Sequence, residues 1–189
     1  STEIHPAILA EPTAVVSLDN LRAAVRLAAS ESSNAHPDPS RTLLWGASEG
    51  GFAALWSDRY QSRYAPEFET LGVVAAIPPT DMLALARLAT TIPSESTAAL
   101  AATLIGMDQW YDYDDLDGVL HTDLVDVLPQ EMLEACNDFP SVTGRDEIDE
   151  LFDSTFVTAA SAGNWDAIEP WSCFLEESSL VPSRIPYES

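Results

Sequence analysis

Apolar residues near the start of the chain recur with the spacing of an amphipathic helix. They stand at positions 14, 18, 21, 25 and 28, three or four residues apart. This spacing places them on one face of a helix. Pro12 marks a plausible start, because proline is tolerated in the first helical turn. We therefore predict a helix that begins near Glu11 and ends before the turn-rich segment 32–40.

Two short apolar runs follow, separated by a helical stretch. Thr42–Trp45 and Leu71–Ile77 are continuously apolar, which is typical of parallel strands that are buried on both faces. The helical pattern runs from about Glu49 to Tyr64 between them. A strand, a helix and a strand in this order form a βαβ unit, so we expect the two strands to be parallel.

The remainder of the chain is predicted to be helical. Asp81 and Ser94 are suitable N-cap residues for the first two of its segments. The predicted helical segments are 81–91, 95–107, 128–135, 146–156 and 165–177. No convincing strand follows Ile77. Because a parallel sheet needs more than two strands to bury both faces, we expect the chain to lack a whole sheet.

The charge is strongly negative and unevenly distributed. The chain has 31 acidic residues and 8 basic ones, all arginine, for a net charge of −23. Residues 91–189 hold 21 of the acids and 2 of the arginines. Such a surface repels phosphate and anionic headgroups, which excludes nucleic acid as an expected partner. The acidic excess without lysine is consistent with a salty environment, where salt screens the repulsion, and equally with general solubility or an acidic lineage. No apolar run reaches the length of about 18 residues that spanning a membrane requires.

One motif indicates chemistry. The segment Gly46–Gly50 reads G-x-S-x-G and lies between the first predicted strand and the following helix. In this context the motif is a nucleophile elbow, which holds Ser48 on a sharp, strained turn. We expect Gly46 and Gly50 to keep side chains away where backbones approach closely. The backbone N–H of Glu49 would donate to an oxyanion. An ordinary glycine-rich turn is the alternative.

Around this motif the sequence resembles the secretory lipases, the family that includes lipase A of Candida and many bacterial relatives. Residues 44–55 (LWGASEGGFAAL) are similar to the L-W-G-x-S-x-G-G-x-A-A-L block of that family. Residues 64–67 (YAPE), 71–76 (LGVVAA) and 79–81 (PTD) are similar to its next blocks. The resemblance is specific over about residues 5–82 and loose beyond.

The resemblance implies a partial α/β-hydrolase with a helical lid. Residues 1–81 would form part of the core with the nucleophile elbow, and residues 82–180 the lid. Residues 181–189 would lead back toward missing sheet strands. The implied function is hydrolysis of a lipid or another carboxylic ester through an acyl-enzyme on Ser48, without metal or cofactor. A secreted or periplasmic location is also implied, although Ser1–Ile8 is not a signal peptide.

The remaining catalytic residues of the family are not found. The Asp and His of the triad follow the lid in this family. Only His121 follows Ser48, and it lies in the predicted lid beside Asp123. His5 and His36 fall in predicted loops and are expected to be exposed. We therefore predict that the isolated chain is nearly inactive, with the rest of the same hydrolase as a possible partner.

Several alternatives stay open at this point. The chain could be a non-catalytic truncated or degenerate hydrolase-fold protein, or an acidic helical interaction module. Cys136 and Cys173 could form a disulfide or remain free thiols. The acidic segment 108–118 invites a calcium interpretation, but Leu116 breaks the EF-hand spacing and favours a solvated loop.

The aromatic residues also allow two interpretations. Those near the motif are more typical of a core than of an acyl pocket: Trp45, Phe52, Trp56 and Tyr60. Those in the predicted lid would line a lipid entrance or pack the lid: Trp110, Tyr111 and Tyr113.

Overall fold

The computed structural model describes residues 4–30, 36–134 and 139–181. These residues form two compact units. We call the described part of Ala10–Thr80 and Leu180–Ser189 the sheet unit, and that of Ser1–Leu9 and Asp81–Ser179 the helical unit. The sheet unit contains α1 (Ala10–Ser30), β1 (Thr42–Ala47), α2 (Glu49–Tyr64) and β2 (Thr70–Ala76). The helical unit contains α3 (Met82–Ala89), α4 (Glu95–Tyr111), α5 (Val127–Glu134), α6 (Ser154–Ala162) and α7 (Trp171–Glu177).

The sheet unit is the predicted βαβ arrangement with one helix before it. Strands β1 and β2 are parallel, with Trp45 opposite Val74 and Ala47 opposite Ala76. Helix α2 packs on both strands, and α1 packs on α2. The prediction of two parallel strands joined by a helix is confirmed, and α1 buries Ala14 and Leu18 of the predicted apolar face.

One face of the two-stranded sheet is bare. Leu43 and Trp45 of β1 are 74% and 77% exposed, and Val74 of β2 is 59% exposed. The prediction of strands buried on both faces is therefore wrong for this chain. Side chains alternate between the faces of a strand, so α2 buries only one set of them. No described residue of the sheet unit covers the other set.

The helical unit is organised around α4. Leu104, Ile105 and Met107 of this helix have at most 1% of their surface exposed. Helix α3 packs against α4, α6 and α7. The fully buried large side chains of this core also include Leu9, Val119, Leu120, Leu124, Phe152, Phe156 and Leu175. A helix that is apolar on nearly every side is expected at the centre of such a bundle.

Two helices predicted in this unit are each split in the structure. The segment predicted as helix from 146 to 156 contains a short 3₁₀ turn, and α6 then begins anew. The carboxylate of Asp153 accepts hydrogen bonds from the backbone N–H of Thr155 and Phe156, which caps the new helix. The segment predicted from 165 to 177 divides at Pro170, which cannot donate a backbone hydrogen bond.

Residues 4–9, which precede α1, belong to the helical unit. Ile4 and Leu9 are buried in the core around α4. The backbone N–H of Ile4 donates to Oε1 of Gln109 at 2.6 Å. A Cβ at Gly106 would lie 3.3 Å from Cα of Pro6, so the glycine allows the segment to lie close to α4.

The ends of the helical unit are fixed by hydrogen bonds on each side of its boundary. Within the sheet unit, the carbonyl of Thr80 accepts from the N–H of Leu180 at 2.8 Å and of Val181 at 3.2 Å. Within the helical unit, Oγ of Ser179 accepts from the N–H of Met82 at 3.0 Å and donates to the carbonyl of Leu175. The chain thus leaves the sheet unit and returns to it at one place.

Some predictions fall on residues outside the described part. Residues 182–189 of the predicted return segment are among them, and so is Cys136. Cys173 lies exposed on α7 as a free thiol. None of the helices in the described ranges is long and apolar enough to cross a membrane.

Candidate active site

Ser48 is the single residue that joins β1 to α2. Its backbone has φ 53° and ψ −123°, a conformation that is uncommon for a residue with a side chain. Holding such a conformation costs on the order of 1–3 kcal/mol. Its N–H donates to the carbonyl of Ala76 at 2.9 Å, and its carbonyl accepts from the N–H of Phe52 at 3.0 Å. Strand β2 and the first turn of α2 thus hold the strained turn in place.

The hydroxyl of Ser48 takes no part in capping α2. A serine immediately before a helix usually accepts a hydrogen bond from one of the first backbone N–H groups. Ser48 makes no such bond, and the residue is exposed. The hydroxyl therefore remains available to a molecule that approaches from solvent.

The two glycines of the motif differ in their surroundings. A Cβ at Gly46 would lie 2.0 Å from the carbonyl oxygen of Gly50, so no side chain fits there. A Cβ at Gly50 would meet nothing within 4 Å among the described residues. The backbones of Gly46 and Gly50 thus approach each other closely, and only at Gly46 would a side chain clash with this approach.

A third glycine, which the sequence reasoning missed, lies in a tight position. A Cβ at Gly51 would be 3.1 Å from the carbonyl oxygen of Ala76 and 3.3 Å from that of Gly46. Helix α2 therefore also lies close to both strands at Gly51. The only sequence signal is the second glycine that follows the G-x-S-x-G pattern directly.

The first turn of α2 presents backbone donors next to Ser48. Glu49 is the first residue of this 16-residue helix, and the first N–H groups of a helix have no intrahelical acceptor. The helix dipole also places partial positive charge at this end. The side chain of Glu49 is exposed to solvent. An oxygen that gains negative charge beside Ser48 would be stabilised by this end of the helix.

A second strained residue borders the turn. Ile77 follows β2 directly, has φ 44° and is 84% exposed. A positive φ in a β-branched residue is a genuine outlier, and such strain concentrates at functional sites. Its neighbour Ala76 is the residue that accepts the hydrogen bond from Ser48. Sequence reasoning could not find this strain, because no residue pattern predicts a positive φ at isoleucine.

The aromatic residues near the motif have different environments. Phe52 is fully buried and Trp56 is 5% exposed, which confirms the core interpretation for both. Tyr60 is half-buried on the same helix. Trp45 lies on the bare sheet face, so the core interpretation is wrong for it in this chain.

His121 forms a dyad with an acid in the helical unit. Its Nδ1 lies 2.6 Å from Oδ1 of Asp123. Arg145 donates to both oxygens of the same carboxylate, at 2.7 and 3.2 Å. The hydrogen bonds from Arg145 and then His121 lower the pKa of Asp123 to about 2. These residues belong to the helical unit, whereas Ser48 belongs to the sheet unit. His5 and His36 are exposed in segments without helix or strand.

The acidic segment after α4 is held by hydrogen bonds within itself. Asp108 accepts a hydrogen bond from the N–H of Asp115 at 3.0 Å, and burial raises the pKa of Asp108. Asp112 and Asp114 have positive φ values of 52° and 57°. Within the described ranges, no group of three or more His, Cys, Asp or Glu residues is arranged to hold a metal ion.

Two of the three aromatic residues near the end of α4 pack against α7. The rings of Tyr111 and Phe174 stack with their centroids 4.1 Å apart. Tyr113 meets Trp171 edge-on at 5.5 Å. Trp110 differs, since it is 45% exposed. Packing of the helical unit therefore accounts for Tyr111 and Tyr113.

Comparison with known proteins identifies the family. The sequence profile of the secretory lipase family matches residues 10–162. The chain belongs to the secretory lipase family. The match includes all four elements of the sheet unit and extends through α6 of the helical unit. No curated protein sequence matches the chain significantly.

Three solved structures share the fold of this secretory lipase chain. A candidate hydrolase from Legionella pneumophila has a TM-score of 0.78 at 18% identity, over 95% of this chain and 47% of its own. The rice cell wall degrading esterase LipA from Xanthomonas oryzae has a TM-score of 0.70 at 17% identity, over 94% of this chain and 48% of its own. Candida antarctica lipase A in its closed state has a TM-score of 0.63 at 17% identity, over 93% of this chain and 38% of its own. The chain thus spans less than half the length of these relatives.

Proposed function

We propose that Ser48 is the nucleophile of a carboxylic ester hydrolase. The observation that carries the proposal is its backbone conformation, with φ 53° and ψ −123° at the single residue between β1 and α2. A cost of on the order of 1–3 kcal/mol persists only where the surroundings enforce it, and such strain is typical of functional sites. Membership of the secretory lipase family supports ester hydrolysis as the reaction.

The reaction is an acyl transfer in two steps. The hydroxyl oxygen of Ser48 attacks the carbonyl carbon of the ester while a base removes its proton. The bond to the alcohol oxygen breaks, the alcohol leaves with a proton returned by that base, and an acyl-enzyme remains. Water then attacks the same carbonyl carbon and releases the carboxylic acid and the free Ser48 hydroxyl. No metal or cofactor enters either step.

The tetrahedral intermediate of each step carries an oxyanion. We assign the backbone N–H of Glu49 as one of its donors, because this group heads α2 and has no intrahelical acceptor. Gly46 supports the same geometry, since it allows the first turn of α2 to approach β1 closely. Gly50 has a role only as a helix residue whose backbone lies against Gly46.

The helical unit fits the role of a lid inserted into the hydrolase fold. This proposal is supported by the hydrogen bond from the N–H of Leu180 to the carbonyl of Thr80. Because of this bond, the insertion begins and ends at one place in the sheet unit. The proposed core comprises residues 10–80. The proposed lid comprises residues 81–179 together with the segment before α1. Beyond Leu180 the chain would return to the sheet.

The base and the acid that orients it are proposed to lie outside these 189 residues. His121 is already bound to an Asp that Arg145 neutralises, and both belong to the proposed lid. The chain spans less than half of its structural relatives. Loss of the base in a serine hydrolase lowers kcat by on the order of a millionfold. We therefore expect the isolated chain to be nearly inactive until the rest of the same hydrolase is supplied.

The substrate is proposed to be a lipid or a smaller carboxylic ester, and the location to be secreted or periplasmic. Both follow from the family. The family match over residues 10–162 also speaks against an unrelated acidic interaction module, the alternative that the sequence had left open.

The test compares this chain with a longer one encoded by the same reading frame and its flanking DNA. Each is treated with a fluorophosphonate probe and with p-nitrophenyl butyrate. We expect the longer chain to be labelled at Ser48 and to hydrolyse the ester. Ser48→Ala should abolish both signals, whereas Ser62→Ala, an exposed serine on the same helix, should change neither.

Two outcomes would contradict the proposal in different ways. A folded longer chain that is neither labelled nor active would remove Ser48 as nucleophile. Brisk turnover by the 189-residue chain, lost on Ser48→Ala, would instead show that the base lies within these residues.

A further inference from the structure

A cleft lies on α2 at the end away from Ser48. Six residues line it: Glu11, Trp56, Arg59, Tyr60, Arg63 and Tyr64. Its volume is about 590 Å³, within the range of roughly 300–1,000 Å³ that is usual for small-molecule sites. Since α2 rises about 1.5 Å per residue, Arg63 stands on the order of 20 Å from Ser48 along the helix axis. The cleft is therefore separate from the candidate active site.

The two arginines of the cleft have no carboxylate partner among the described residues. Arg22, which lies nearby on α1, shows the contrast. It forms ion pairs with Asp19 and Glu67 and donates to the carbonyl of Tyr64. In the described part of the sheet unit, the ion pairs are those of Arg22 with Asp19 and Glu67. Neither Arg59 nor Arg63 forms one. Two exposed guanidiniums are thus available to an outside oxyanion in a chain with a net charge of −23.

Aromatic rings form the apolar part of the cleft. Trp56 is 5% exposed, and the guanidinium of Arg59 lies over its ring at 5.0 Å from the centroid. Tyr60 meets the same ring edge-on at 5.9 Å. A guanidinium stacked on an indole keeps its N–H edge free to donate to a carboxylate.

The charges around the cleft favour an anion. Arg59 and Arg63 stand four residues apart on α2, so they lie on one face of the helix. Glu11, at the start of α1, is the only acid among the lining residues. The lining therefore carries a net charge of +1, which is the opposite sign to the chain as a whole.

We propose that this cleft binds an amphiphilic carboxylate, with Arg59 and Arg63 on the head group and the half-buried Tyr60 and Tyr64 beside the acyl chain. The carboxylate class rests on the proposed function, because lipid ester hydrolysis releases such acids. The site would retain a released fatty acid on the surface of the sheet unit, away from Ser48. Glu11 opposes binding and sets an upper limit on affinity.

The experiment measures binding without any ester, so that it does not depend on catalysis. Decanoate is titrated against the 189-residue chain by displacement of a fluorescent fatty acid at 0.15 M NaCl, where the Debye length of about 8 Å limits long-range repulsion. Arg63→Gln should weaken binding about tenfold, as expected for loss of one charge-assisted hydrogen bond. Glu11→Gln should strengthen it severalfold.

Matched controls separate a specific site from general attraction. Arg26→Gln removes an exposed arginine of α1 outside the cleft and should leave binding unchanged. Arg59→Lys keeps the charge but loses the stacked guanidinium, and it should weaken decanoate binding while the thermal unfolding curve stays unchanged. Decanol, which lacks the charge, should bind at least tenfold more weakly than decanoate.

The proposal is overturned if decanoate does not bind saturably or if Arg63→Gln binds it as well as the parent does. Equal binding of decanol would also overturn it. Tighter binding of decyl phosphate than of decanoate would overturn the assignment to a carboxylate. None of these results bears on Ser48, whose labelling by the fluorophosphonate probe tests the proposed function separately.

Discussion

The helical unit and the sheet unit bury their apolar residues to different extents. The helical unit has one large core in which Leu104 and Phe156 are completely buried. The sheet unit leaves Leu43, Trp45 and Val74 of its strands in contact with water. A unit that buries its own apolar surface is stabilised by that burial, whereas the apolar side chains on the bare face of the sheet contribute no such stabilisation.

The charges of the two units differ as well. Residues 1–9 and 81–179 contain 22 acids and 2 arginines, whereas residues 10–80 and 180–189 contain 9 acids and 6 arginines. The helical unit thus combines a large core with a strongly negative charge. The sheet unit combines weak net charge with the strained Ser48. Hydrogen exchange read by mass spectrometry reports the local opening free energy of each unit separately, and so tests this comparison.

Gly46→Ala should have the largest effect, and only in the sheet unit. The new Cβ would lie 2.0 Å from the carbonyl oxygen of Gly50, so α2 must move away from β1. We expect a loss of about 4 kcal/mol or more in the opening free energy of β1 and α2, with α4 unchanged. Gly50→Ala is the matched control, because its Cβ meets nothing and alanine favours the helix by about 1 kcal/mol. Equal losses from both variants would contradict the steric role of Gly46.

Leu104→Ala should have the next largest effect, and only in the helical unit. Leu104 is completely buried in α4, so its truncation leaves a cavity that costs about 2–5 kcal/mol. Trp45→Thr is the counterpart in the sheet unit. Since Trp45 is 77% exposed, its loss should change the opening free energy by less than about 0.5 kcal/mol. A large loss from Trp45→Thr would show that its sheet face is covered in solution.

The effect of Ser48→Gly should be smaller than these losses, and it should be a gain in stability relative to Ser48→Ala. Glycine adopts a positive φ without strain, so this variant should be about 1 kcal/mol more stable than Ser48→Ala, after allowance for the entropy of the unfolded glycine. Urea unfolding of the two variants measures the difference. Both lack the hydroxyl, so their comparison isolates the backbone strain. Identical stability would show that the turn stores no strain at this residue.

Asp123→Asn should have the smallest effect, in the helical unit and only above a certain pH. Arg145 lowers the pKa of Asp123 to about 2, and an unfolded aspartate titrates near about 3.9. The carboxylate therefore contributes stability above about pH 4, and that contribution is lost as the pH falls toward 2. Thermal unfolding of the parent and the variant should differ at pH 6, and the difference should shrink as the pH falls from 4 to 2. Asp126→Asn replaces an exposed neighbouring aspartate that Arg145 does not bind, and it is the matched control.

The local structure of the chain was largely predictable. The spacing of apolar residues predicted α1, and α2 begins and ends at the predicted residues, Glu49 and Tyr64. The side chain of Asp81 caps α3 as predicted, since it accepts from the N–H of Ala84. These features depend on neighbouring residues, which a sequence displays directly. The predicted helices that failed contain Asp153 and Pro170, where a cap or a missing donor starts a new helix.

By itself, the sequence determined that Ser48 stands between a strand and a helix, because the motif and the apolar runs are local patterns. It also determined the family. Only the tertiary structure decided which glycine meets a backbone, that Ile77 is strained, and that Ile4 packs beside α4. The tertiary structure also decided that Arg22 pairs with Asp19 and Glu67, whereas Arg59 and Arg63 form no ion pair among the described residues. Contacts between residues distant in sequence depend on how helices and strands approach in space, which no local pattern records.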